Sequence, residues 1–288
     1  MAKPTICVLH PGEMGSAVGR AARAAGARVL WSSTGRGDAT RKRAVEAGLE
    51  DAGTLEAALA SAESVLSVCP PHVALDVARA VAARGFRGLF VDANAVSPET
   101  ARRLAATVEV AGARFVDGGI VGPPPSAGSS TRLYLSGDGA RRAAELFAGT
   151  PLATVVLDAP VGAASAVKMC YAAWTKGTAA LILAVRAVAE SEGVEAALAE
   201  EWRISQPDLF RQLDRAVAQS RKAWRWVGEM EEIAATFGEA GLPEGFHLAA
   251  AEICRTLESF KDARGTTIDE LVTALRATPA KKAVSAGG

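Results

Sequence analysis

Two features carry most of the chemistry this sequence offers: the hexapeptide His10-Pro11-Gly12-Glu13-Met14-Gly15 and a single lysine, Lys168. The hexapeptide follows a short apolar run, "TICVL", and opens a stretch of helical composition. A helix N-terminus presents unpaired backbone N–H groups, so a glycine turn ahead of it can bring those donors onto a phosphate. The usual pattern for this, GxGxxG, has glycine where this chain has His10. Pro11 drives His10 into extended backbone, suited to the last residue of a strand. Pro11-Gly12 then fits the centre of a type II turn, with Gly12 at positive φ. On this reading Gly12 admits a pyrophosphate, and Gly15 allows the helix to pack closely on the strand. The amides of Glu13 and Met14 face the phosphates while the Glu13 side chain points outward. His10 borders the bound group and takes no part in catalysis. A plain β-α turn without ligand is the alternative.

Lys168 sits among Ala166, Val167, Met169 and Cys170, in a segment otherwise short of charge. Burying an unpaired ammonium is costly, so such a lysine has a task, a partner, or a route to solvent along its own stem. Partial desolvation would move it towards proton transfer near neutral pH. A third cluster, Ser32-Ser33-Thr34-Gly35-Arg36, follows the second apolar run. An acidic residue there would suit the ribose hydroxyls of NAD; hydroxyls and an arginine suit a 2′-phosphate, favouring NADP. A polar surface turn is equally compatible with that stretch alone.

These groups need elements to position them. The runs "TICVLH", "ARVLWSS", "SVLSVCP", "GLFVDAN", "ARFVDGG", "TRLYLSG" and "ATVVLDA" read as strands. Helical segments are predicted at 15–25, 39–46, 74–84 and 98–107. The alternation predicts a parallel, doubly wound α/β sheet with ligands at the carboxyl ends of its strands. Beyond Val161 strand signals stop, and 162–192 reads as one long, nearly all-apolar helix. The division expected is a dinucleotide-binding Rossmann domain at 1–159 and an all-α substrate and dimerisation domain at 160–288. A small helical domain cannot cover such a helix, which predicts burial against a second copy.

Composition narrows the function classes. Hydrophobic residues make up 49% of the 288, yet only 5% are aromatic, so the core is built from Ala, Val and Leu. Lys plus Arg equals Asp plus Glu at 32 each, so no net field recruits nucleic acid or an anionic membrane. The most apolar segment, Gly177 to Val185, is too short between Lys176 and Arg186 to span a bilayer. Cys7, Cys69, Cys170 and Cys254 are scattered without a CxxC pair, and the histidines are scattered too. The expectation is a cytoplasmic protein with reduced thiols and no metal site.

Four stretches, in order, resemble the β-hydroxyacid dehydrogenases, the superfamily of 3-hydroxyisobutyrate and 6-phosphogluconate dehydrogenases. They are "GEMG", "VDANAVSP" at 91–98, "FVDGGIVGPPP" at 115–125 and "GAASAVKMCYAAWTKG" at 162–177. The later stretch "RWVGEMEEIAATFGEAGLPEGFH" is similar to a 6-phosphogluconate-dehydrogenase-like branch. The resemblance implies an NADP-dependent oxidoreductase acting on a small hydroxyacid or carbonyl compound, with Lys168 as catalytic acid/base. It further implies cofactor contacts from Cys69 and Pro70, from Asn94, where the family usually has serine, and from Lys261 of a Lys-Asp pair. For substrate it points to Asn94, Val121 and Gly122, while helix spacing from Lys168 adds Tyr171 at i+3 and Thr175 at i+7 as substrate candidates. The departures are that Val121 replaces the family's serine, Pro123 its second glycine, and Ala172 its asparagine. They admit two rivals: an imine-type reductase, and a protein that binds NADPH without catalysis. Trp226, Glu229 and His247 are assigned core or surface roles by default.

Overall fold

The computed structural model describes residues 3–277; residues 278–288, the end of the expected helical region, lie outside it. Strands β1 (Thr5–Val8), β2 (Arg28–Trp31), β3 (Glu50–Asp51) and β4 (Ser64–Ser67) are followed by β5 (Leu89–Asp92), β6 (Arg114–Val121), β7 (Arg132–Ser136) and β8 (Ala153–Val156). They form one eight-stranded sheet in the order β3-β2-β1-β4-β5-β6-β7-β8. Helices α1 (Glu13–Ala24), α2 (Asp38–Glu46), α3 (Leu55–Ser61), α4 (Ala74–Ala82), α5 (Pro98–Glu109) and α6 (Ala140–Glu145) accompany it. The order reverses beside β1, between β2 and β4, which places the ligand crevice of such sheets at the hexapeptide.

Alternation along the strands builds two cores. Ile6, Val8, Leu66, Val91 and Val116 enter one. Cys7, Val65, Phe90 and Phe115 enter the other. Both faces are therefore buried, which is why these strands read as continuous apolar runs. One expectation is corrected: the sheet is not wholly parallel, because β7 runs antiparallel to β6. The link between them, residues 122–131, holds no helix to carry the chain back across the sheet.

Helix α7 (Ala163–Ser191) matches the long helix predicted at 162–192 and spans 29 residues. Among the described residues only helices follow: α8 (Glu195–Ser205), α9 (Leu209–Gln219), α10 (Val227–Glu239), α11 (Gly245–Thr256) and α12 (Ile268–Ala277), with short 3₁₀ turns between some of them. The chain divides into two compact units. The first runs to Tyr171 and takes in Ala235–Gly241; the second comprises Ala172–Ala234 and the described residues from Leu242 to Ala277. As a whole helix α7 has the length and apolarity of a membrane span, with 44% of its most apolar window buried within the protein. The expectation that most of its surface is buried is not met within this chain. Tyr171, Trp174, Leu181 and Val188 stand exposed on it, Trp174 at 73%.

Candidate functional site

The hexapeptide lies where it was expected, between β1 and α1, but its turn is of another kind. Gly12 N–H donates to His10 O at 2.8 Å, closing a three-residue turn around Pro11. Gly12 caps α1 in extended backbone, φ −70° and ψ −164°, so the positive φ expected of it is corrected. Proline's fixed φ already suits the centre of such a turn. A side chain on Gly12 would meet nothing within 4 Å, so the loop faces open space there. Gly15 is the opposite case: its Cβ would lie 2.1 Å from His10 O. Helix and strand end touch backbone to backbone, and only glycine fits. Ser16 N–H is bonded to Gly12 O, closing the first turn of α1. The donors ahead of it, on Glu13, Met14 and Gly15, precede the first intrahelical bond. Glu13 is exposed and Met14 packs partly on the core.

At the end of β2 the hydroxyls are already engaged. Ser32 Oγ and Thr34 Oγ1 both donate to Gly53 O, at 3.0 and 2.9 Å, tying β2 to the turn after β3. Ser33 hydrogen-bonds Asp51. The hydroxyls expected to meet a 2′-phosphate are therefore engaged within the fold. Arg36 reaches Leu9 O and His10. Arg41, which sequence reasoning passed over, donates to Ser33 O and Arg36 O at 3.0 and 3.2 Å.

Asn94 is 2% exposed, and its amide is used within the protein. Its Nδ2 donates to Asp92 Oδ1 and Ser67 Oγ, at 2.6 and 3.1 Å. Its Oδ1 accepts from Cys69 N–H. Instead of reaching a ligand directly, as expected, Asn94 clamps the Cys69-Pro70 turn to the end of β5. Burial pushes the Asp92 carboxyl up to about 7; neighbouring Asp117 adds to the rise, and hydrogen bonds from Asn94 and Ser67 oppose it. Burial likewise pushes the Cys69 thiol up to about 12, so it stays protonated.

Lys168 lies on α7 against β6. A Cβ on Gly119 would come within 3.0 Å of Lys168 Cβ and 2.5 Å of Ala164 O, so the bare glycine lets the helix settle on the strand. Gly118 and Gly119 lie beyond the Asp92–Asp117 pair, towards the carboxyl edge of the parallel strands. That edge also carries the hexapeptide. Asp117, wholly buried, anchors the start of α7: its carboxylate accepts from Gly162 N–H, Ser165 N–H and the Ser136 hydroxyl.

Val121, expected to meet substrate, is buried at the end of β6. Gly122 is exposed at φ 123°, in the left-handed region. Tyr171 and Thr175 are exposed at i+3 and i+7 from Lys168, sharing its helix face. Within the second unit, Glu229 is buried in an ion pair with Lys176, whose ammonium also stands 5.1 Å from the Trp226 ring centroid. His247 is buried and packs edge-on against Phe246. Lys261 stands 4.4 Å over the Trp224 ring. Lys176, Glu229 and Trp226 thus make a small polar-aromatic cluster that the sequence left as scattered residues. Among the described residues no group of three or more His, Cys, Asp or Glu is placed to hold a metal ion.

Comparison with known proteins fits this geometry. Residues 5–148 match the NAD binding domain of 6-phosphogluconate dehydrogenase, and residues 189–257 match a domain of unknown function, DUF1932. An uncharacterised 28.5 kDa protein of Methanothermus fervidus is 30% identical over 205 residues, 69% of this chain and 78% of that one. Among solved structures, a conserved protein of unknown function, described as structurally similar to 3-hydroxyacid dehydrogenases, is 26% identical with a TM-score of 0.66. The match covers 89% of this chain and 98% of that one. The 3-hydroxyisobutyrate dehydrogenase of Mycobacterium tuberculosis shares the fold at TM-score 0.71 and 19% identity, over 96% and 100% of the two chains.

Proposed function

The chain belongs to the family of the NAD binding domain of 6-phosphogluconate dehydrogenase, an NAD(P)-dependent oxidoreductase family, and from that premise we propose that it uses NADP to oxidise or reduce a small hydroxyacid or carbonyl substrate. The observation that carries this reading is the seat of Lys168, pressed onto Gly119 at the carboxyl edge of the sheet that holds the glycine loop.

The residues present fit a dinucleotide: open space over Gly12 and the first amides of α1 suit a pyrophosphate, and Arg36 and Arg41 suit a 2′-phosphate. When bound, the dinucleotide supplies or accepts the hydride. Lys168 gives or takes the proton of the substrate oxygen, and the exposed Gly122 amide serves as a donor to substrate. Asn94 fixes the turn at Cys69-Pro70 that borders the cofactor. On the same reading the exposed α7 stripe meets its counterpart in a homodimer.

The test is a screen of hydroxyacids, aldehydes, ketoacids and cyclic imines with NADPH, repeated on Lys168→Ala. Loss of at least about 100-fold in kcat, with NADPH affinity retained, is expected of a lost acid/base. Undiminished turnover in that variant removes the role of Lys168. Turnover of cyclic imines alone would replace the hydroxyacid reading with imine reduction.

A further inference from the structure

The imidazole of His10 stands at the end of β1, where the glycine pattern would have no side chain. Its Nε2 accepts from Arg36 Nη2 at 3.0 Å, and the same Nη2 donates to Leu9 O at 3.3 Å. An imidazole that accepts at Nε2 is neutral and carries its proton on Nδ1. The environment favours that form: burial, and then the Arg36 charge, hold His10 down at about 4.

The pair bridges two strand ends. Arg36 belongs to the turn after β2, and that turn is itself braced by the Arg41 guanidinium on Ser33 O and Arg36 O. In sheets of this kind the end of β2 is where the adenosine ribose is read. Two buried donors, His10 Nδ1 and Arg36 Nε, have no hydrogen-bond partner among the described residues. Buried donors are rarely left so, and where they are, a role beyond packing is the usual reason. Glycine at position 10 would offer Arg36 no side-chain acceptor. The guanidinium would then keep only Leu9 O and regain much of its rotamer freedom.

We propose that His10 is a specificity-determining positioning residue: its imidazole holds the Arg36 guanidinium beside the glycine loop, and the guanidinium so held selects a dinucleotide with a 2′-phosphate over one with a 2′-hydroxyl. A planar fork fixed in advance loses less entropy on meeting a phosphate than a free side chain does. The substitution that breaks the glycine pattern is thereby part of how the cofactor is chosen. This inference rests on the NADP reading above.

Equilibrium binding of NADPH and NADH to the wild type, His10→Gly and His10→Gln tests it. His10→Gly is expected to weaken NADPH roughly tenfold, the scale of one charge-assisted hydrogen bond, and NADH less than twofold. His10→Gln, whose Oε1 can accept from Arg36, is expected to recover most of the loss. At pH 7, ¹⁵N NMR should find the His10 ring neutral with its proton on Nδ1. A wild type that prefers NADPH, with the preference intact in His10→Gly, overturns the role of His10 and leaves the NADP reading standing. Equal affinity of the wild type for both cofactors overturns the NADP reading itself. Equal weakening of both cofactors without rescue by Gln, or a proton on Nε2, reduces His10 to loop support and also overturns the proposal.

Discussion

Asp117 Oδ1 accepts a hydrogen bond from Ser165 Oγ at 2.6 Å, joining β6 to the first turn of α7. With the three bonds to Oδ2, one buried carboxylate takes up four donors at the point where Lys168 is about to be placed. Asp117→Ala would leave those donors buried and unpaired. A loss of at least about 3 kcal/mol is expected. Urea unfolding checks it; an unchanged midpoint would show that the network does not hold α7.

Gly119→Ala is the finer probe of the same junction. Its Cβ would collide with Ala164 O, a backbone atom that cannot rotate away, so α7 must lift from the strand. Lys168 moves with it. Turnover should fall by about 100-fold, as misplacement of a catalytic group does, while NADPH affinity stays within twofold. Steady-state kinetics beside cofactor titration separates the two, and a fall in cofactor affinity alone would contradict the placement.

Stability should depend on pH through two buried groups of opposite sign. Asp92 is raised from 3.8 to about 7, so the native state binds the extra proton. Its contribution is complete below pH 3.8 and is lost as pH rises through 7, to a total of about 4 kcal/mol. His10 is lowered from 6.5 to about 4, so its contribution is complete above 6.5 and lost as pH falls towards 4. The two oppose each other on the acid side, where most of the Asp92 loss falls; above pH 6.5 its last part, about 1 kcal/mol, outweighs what remains of the His10 gain. Thermal melts should therefore fall between pH 6.5 and 8 in the wild type. In Asp92→Asn they should be level there, and a persisting fall would assign the effect to another group.

The exposed large apolar residues of α7 recur at heptad positions: Trp174, Leu181 and Val188 at sevens, with Tyr171 three residues before the first. Trp174→Glu with Leu181→Glu is expected to turn a dimer into a monomer in light scattering. A wild type that is already monomeric at tens of micromolar rejects the dimer.

The apolar runs made seven of the eight strands legible, and the missing one, β3, is Glu50–Asp51, two exposed residues with no pattern to read. That omission had consequences. Without β3 nothing indicated Gly53 O, the acceptor that occupies Ser32 and Thr34. The Pro-Gly pair was read correctly as a tight turn but assigned the wrong hand at Gly12, because proline's φ suits both turns. The choice between them is made by which carbonyl the next amide finds. Lys168 was legible as a charge out of place, whereas the His10–Arg36 contact was not. Only the adjacency of β1 and β2 brings together two residues 26 apart in sequence.

The closeness of Gly15 to His10 O reaches beyond stability. The obstacle to a Cβ is a carbonyl, common to every residue that could stand at position 10. No second mutation in a neighbouring side chain can make room for it. Position 10 was therefore free to diverge and take on the holding of Arg36, while position 15 is closed to compensation for as long as the chain follows this path.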